Sequence, residues 1–144
     1  MDYTVTELEL LFSTQIETVV TLSCCFPFRE PTLIDQVITE KRNRRLDSIL
    51  TVYETGGNYW YKDKSGDMAR VFRTNYYSPR DTREPLYREL MGLVFATDRE
   101  FVTSKSIMGN SIGVVPVHGF SNLIDLRDPL WKEINEHYDL SLLR

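Results

Sequence analysis

Two clusters of turn residues constrain this chain more than anything else in it. Gly56-Gly57 and Ser65-Gly66-Asp67 punctuate three segments rich in β-branched and aromatic residues: Ser48–Glu54 (SILTVYE), Asn58–Lys62 (NYWYK) and Met68–Tyr77 (MARVFRTNYY). Tight hairpins need positive backbone φ, which glycine supplies without a steric penalty. The spacing therefore predicts a three-strand antiparallel meander.

The rest of the chain is read around that meander. Val5, Leu8, Leu11 and Phe12 recur at helical spacing, with Thr4 or Asp2 as a cap. Ile16–Phe26 (IETVVTLSCCF) is free of Gly and Pro and reads as a long strand ending at Pro27. Pro31 and Thr32 open a helix with Leu33, Ile34, Val37 and Ile38 on one face, closing in the basic run Lys41–Arg45. A helix is expected from Pro85 through Leu86, Leu90, Leu93 and Val94, and strands over Glu100–Met108 and Ile112–His118. A last amphipathic helix runs from Asp128 to Tyr138. These elements predict one α+β domain over residues 1–144. Its sheet is mainly antiparallel, with about five or six strands and helices packed on one face.

Composition narrows the function classes. A chain of 144 residues can bury one sizeable core, and its 12% aromatics favour a sheet-rich one. The net charge of −4 makes nucleic acid a poor partner, since a polyphosphate needs a basic surface. No run approaches the roughly 18 apolar residues of a membrane span, so no membrane partner is expected. The acidic MDYTVTELE start lacks the pattern of a secretory signal. Cys24 and Cys25 are adjacent and have no third thiol to pair with, which points to a reducing, cytoplasmic compartment.

Chemistry-bearing residues are sparse. His118 and His137 are the only histidines, and with two cysteines on one strand they do not make a four-ligand metal site. A Cys–His pair between Cys24 or Cys25 and His118 is conceivable across a sheet, against the plainer reading of a small buried Cys. There is no Gly-x-Ser-x-Gly elbow, and Gly109-Asn110-Ser111-Ile112-Gly113 lacks the lysine of a phosphate loop. The basic run Lys41-Arg42-Asn43-Arg44-Arg45 suits a helix carbonyl end, where positive charge meets the dipole. Its functional reading is an anion site, because a guanidinium grips a carboxylate with a planar fork. The ligand-binding candidates are accordingly Arg45, Arg44, Tyr59, Tyr61 and Arg73, the tyrosines and Arg73 lying on the meander. No catalytic residue, metal or cofactor is assigned. The expected partner is a small carboxylated molecule or a protein, and exposed strand edges leave a homodimer open.

Three stretches carry a family resemblance. Asp2-Tyr3-Thr4-Val5-Thr6-Glu7-Leu8-Glu9, the segment from Arg45 through Tyr77, and Glu84-Pro85-Leu86-Tyr87-Arg88-Glu89-Leu90-Met91-Gly92 together resemble the chorismate lyase-like fold. That fold is shared by chorismate pyruvate-lyases and the ligand-sensing domains of some transcription regulators. The resemblance implies a carboxylate-binding arginine at Arg45, or at Arg44 if the register slips by one, and no cofactor. It departs at Tyr3 and Tyr87, where the family has glycine, and it places no catalytic glutamate. A ligand sensor or partner-binding module is the implied function, with a lyase acting on a carboxylated cyclic or aromatic substrate such as chorismate as the alternative.

Overall fold

A computed structural model of the chain describes residues 1–56, 59–71, 85–103 and 105–129. In order, it contains α1 (Asp2–Phe12), β1 (Thr18–Thr21), α2 (Leu33–Arg44), β2 (Ser48–Thr55), β3 (Trp60–Lys62) and β4 (Met68–Arg70). Then come β5 (Leu86–Glu89), β6 (Phe95–Asp98) and β7 (Ile112–Pro116), with 3-10 turns at Arg99–Phe101 and Ser121–Leu123. The class is α+β, as expected. Two compact units are present: Met1–Tyr53 with Glu89–Arg144, and Glu54–Arg88.

The main sheet has the order β1-β6-β2-β5, with β7 also pairing β2. At its centre, Ser48–Leu50 pair antiparallel with β6 while Ser48–Val52 pair parallel with β7. Ser48 through Val52 are all buried, the near-continuous burial of a strand covered on both faces. Since β6 is antiparallel to both β1 and β2, the strands β1, β2 and β7 run in one direction.

One face packs Ile49, Ala96 and Val115 against Leu33 and Val37 of α2. The other holds Leu50, Val52 and Phe95 under Met91, Ile107 and Met108. The helix α2 forms where its apolar spacing predicted, and Arg45 ends it in the left-handed region at φ 52. Lys41 departs from the reading of a solvated basic run. It is buried and pairs with Asp98 on β6, because it continues the Leu33–Val37 stripe by one more turn.

Several expected elements are corrected. Only Thr18–Thr21 of the long first strand is extended, and a turn at Cys24-Cys25 follows it. The helix expected from Pro85 is β5, a turn and β6, since Leu86–Glu89 and Phe95–Asp98 find sheet partners. Residues 99–101 form a 3-10 turn instead of starting a strand. The meander is also different: β2 pairs in the main sheet, whereas β3 and β4 form a separate two-stranded sheet. The helix expected at Asp128–Tyr138 lies outside the described residues beyond Pro129, as does the third meander segment beyond Val71.

Within the second unit, the hairpin aligns Trp60 with Arg70 and Tyr61 with Ala69. Its turn is closed by Asp63, whose Oδ1 accepts bonds from Ser65 N at 2.9 Å and Asp67 N at 3.0 Å, with Gly66 at φ 95. Here the turn residues form as the sequence predicted.

In the first unit, Asp47 clamps the loop leading into β7. Its Oδ2 accepts from the backbone N–H groups of Asn110 and Ser111, both at 2.8 Å. These bonds, that of Ser111 foremost, hold the Asp47 carboxyl below its ordinary value of 3.8. A depressed carboxylate pKa stabilises the fold above the unfolded value, and that contribution is lost as pH falls through the folded value. In an acid titration followed by carboxyl-carbon NMR, Asp47 is expected to titrate below 3.8. The Asn110 and Ser111 amide shifts should move with it. Titration at or above that value would mean the clamp does not form.

Candidate functional site

Because β1, β2 and β7 point the same way, the segments following β1 and β7 emerge at one edge of the sheet. In open sheets, ligands collect in the crevice outside the carboxyl ends of the strands. The residues at that edge here are 22–29 after β1 and 117–127 after β7.

Arg29 ties this edge together. Its Nε donates to the carbonyl of Leu93 at 2.6 Å, and its Nη2 donates to that of Ser23 at 2.8 Å and that of Gly92 at 3.4 Å. The segment Leu90–Val94 is a short excursion between β5 and β6, pinned from inside by buried Thr51. The Thr51 hydroxyl donates to Leu90 O at 2.7 Å and accepts from Val94 N at 3.3 Å. Gly92 sits where a Cβ would lie 2.7 Å from the buried Phe26 ring and 3.1 Å from Ser23 Cβ. Glycine is what lets the two loops approach.

From the β7 side, Leu126 N donates to Cys25 O at 2.9 Å. Asp125 and Arg127 form a bidentate pair, with Nε–Oδ1 at 2.8 Å and Nη2–Oδ2 at 2.6 Å. The Arg127 guanidinium lies 5.8 Å from the Phe26 ring centroid. Its cation is held above the ordinary arginine value, chiefly by the hydrogen bond to Asp125 and secondarily by charge on Asp125, with Cys25 and Cys24 adding to it. Cys24 is exposed and Cys25 half-buried. Sequence reasoning placed one of them in the core of a strand, but the strand stops at Thr21 and both belong to the turn after it.

A second feature of this edge is Asn122, 3% exposed, in the 3-10 turn after β7. Its Nδ2 donates to His118 O at 2.8 Å, while its Oδ1 is a buried acceptor with no hydrogen-bond partner among the described residues. Such an acceptor costs about 1–3 kcal/mol unless a donor reaches it. The edge thus carries the Arg127 guanidinium over the Phe26 ring, two free thiols in the turn after β1 and an unfilled carbonyl acceptor in the turn after β7.

The residues singled out from sequence lie elsewhere. Arg45 is the exposed cap of α2, and Arg44 is exposed, reaching Glu40 at 3.6 Å and Val114 O at 3.5 Å. Both precede β2 and so stand at the amino edge of the sheet. Tyr59 and Tyr61 belong to the second unit, each about half exposed, with the Tyr59 hydroxyl hydrogen-bonded to that of Thr55. Arg73 lies outside the described residues, as does His137. His118 is exposed just past β7. Among the described residues, no three of His, Cys, Asp and Glu converge as a metal-binding group. Sequence reasoning missed Arg29, Asn122 and Arg127. Only the position of Arg29 two residues past Pro27, at the end of the first strand segment, could have drawn attention to it.

No protein-family model matches this chain, and no curated protein does. Among solved structures, it is similar to 4-diphosphocytidyl-2C-methyl-D-erythritol synthase from Anaerococcus prevotii. The TM-score is 0.55 at 16% identity, over 96% of this chain and 65% of that one. This chain thus spans just under two thirds of the synthase. The likeness is one of fold, and it replaces the chorismate lyase-like resemblance. Within those stretches Leu86–Glu89 form strand β5, and β2 pairs in the main sheet while β3 pairs with β4.

Proposed function

We propose that this chain is a small-molecule-binding protein whose ligand, a cytidine nucleotide or a close chemical relative, sits at the carboxyl edge of β1 and β7. The observation that carries this reading is the fold likeness to a diphosphocytidyl-forming synthase across nearly the whole chain. Fold alone does not fix activity, so the place and the chemistry come from the site. Asp125 engages Nε and Nη2 of Arg127 and leaves Nη1 outside the pair, a donor suited to a phosphate oxygen. The buried Asn122 acceptor suits an amino or hydroxyl donor. With two free thiols, a reducing, cytoplasmic setting belongs to the same proposal.

The alternative reading is a group-transfer enzyme, and what favours it is that the structural neighbour is a synthase. Titration calorimetry with cytidine diphosphate and triphosphate separates the possibilities. Binding that falls at least tenfold in Arg127→Ala and is unchanged in Arg45→Ala supports the carboxyl-edge site. Binding lost in Arg45→Ala alone would return the ligand to the helix cap and overturn this placement. No heat with either nucleotide removes the ligand class. Release of phosphate or pyrophosphate during incubation would favour the enzyme.

A further inference from the structure

The two cysteines of the chain occupy the centre of one tight turn. Phe26 N donates to Ser23 O at 3.3 Å, closing Ser23-Cys24-Cys25-Phe26, and Cys25 N donates to Ser23 Oγ at 3.2 Å. Neither central residue has a positive φ, and no peptide among the described residues is cis, so the turn is type I. Had the strand continued past Thr21, the two side chains would point to opposite faces. In the near-helical backbone of a type I turn they diverge by only roughly 100°. Cys24 is exposed and Cys25 half-buried, so solvent reaches this turn. The Arg127 cation is favoured first by Asp125 and then by the charges of Cys25 and Cys24, which sets both sulfurs near one guanidinium.

Distances decide what such a pair can do. A disulfide needs Cα atoms about 4.4–6.8 Å apart, whereas adjacent residues across a trans peptide stand about 3.8 Å apart. Closing the pair on itself would distort the turn, and there is no third thiol. An ion between the sulfurs relaxes this demand. At about 2.3 Å from each, the length of a zinc–thiolate bond, it lets them stand roughly 4.6 Å apart instead of the roughly 2 Å of a disulfide. Zinc itself calls for four ligands. Among the described residues no third His, Cys, Asp or Glu joins the pair. Two thiolates and nothing else suit a soft cation of low coordination number, and thiolate ligands select copper(I).

We propose that Cys24 and Cys25 form a two-coordinate site for copper(I). Both S–H bonds break, two S–Cu bonds form and two protons pass to solvent, with no change of oxidation state. The product carries one net negative charge, and Arg127 is the cation beside it. No nucleotide enters the argument, so the site stands or falls separately from the ligand at the strand edge. Anaerobic competition with the copper(I)–bicinchoninate complex tests it, using the reduced full chain. The wild type is expected to withdraw one equivalent of copper from the chelator and to leave zinc with a matched zinc chelator. Cys24→Ser and Cys25→Ser should each lose at least about a hundredfold in copper affinity, because either change turns a chelate into a single contact. Should a serine variant misfold, the wild type alkylated at both thiols with N-ethylmaleimide decides, and it should take up no copper. A wild type that leaves the copper with the chelator overturns the proposal. So does undiminished uptake by either serine variant, which would mean a single thiol suffices, or equally tight uptake of zinc, which would mean a larger ligand set.

Discussion

Asp98→Ala is expected to destabilise the protein by about 3–5 kcal/mol, because it leaves the Lys41 ammonium buried without its counter-charge. The Lys41 side chain is 6% exposed and that of Asp98 is 34% exposed, so the two partners are not equivalent. Lys41→Met leaves a carboxylate that can still turn toward solvent, and its cost should be clearly smaller. The double variant Lys41→Met/Asp98→Ala should recover much of the loss, since an apolar side chain continues the Leu33–Val37 stripe. Urea denaturation of the four proteins checks this. Equal midpoints for wild type and Asp98→Ala would show that the pair is not buried in solution.

Gly92→Ala is expected to cost about 1–3 kcal/mol, the usual penalty of forcing a methyl into filled space. The added Cβ would stand 2.7 Å from the Phe26 ring, which is 3% exposed and packed in the main core. Its effect on ligand binding should exceed its effect on stability. Moving Phe26 displaces the ring beneath Arg127, and moving Ser23 displaces a carbonyl that Arg29 holds. The comparison to make is nucleotide affinity against urea midpoint in the same variant. A destabilised protein with wild-type affinity would show that the Leu90–Val94 excursion is structural only.

What the sequence made legible follows from how local each signal is. The α2 stripe and the Ser65-Gly66-Asp67 turn are satisfied within a few residues, and both formed where expected. Ser48–Glu54 was correctly extended, but its partners were assigned by proximity along the chain. They are in fact residues far downstream, because five consecutive buried positions require cover on both faces. Leu86 to Val94 misled for a related reason. Its apolar spacing fits a helix, yet Thr51 bonds Leu90 and Val94 and holds the segment as a turn between strands. The candidate site was illegible because it is assembled from carbonyls and caps. Nothing in the local sequence shows that Arg29 grips the backbone of residues 92 and 93, or that Asn122 lacks a donor.

The order of the strands also sets a timetable for assembly. Neither β1 nor β2 pairs with the other; β1 waits for β6, and β2 waits for β5, β6 and β7. On a ribosome, the first half of the chain must emerge with Val19, Val20 and the whole Ser48–Val52 run unpaired. Such distant pairings close slowly and leave sticky intermediates exposed meanwhile. The four residues Phe95–Asp98 are then the keystone on which two earlier strands settle at once. Substitutions there should retard refolding out of proportion to the area they bury.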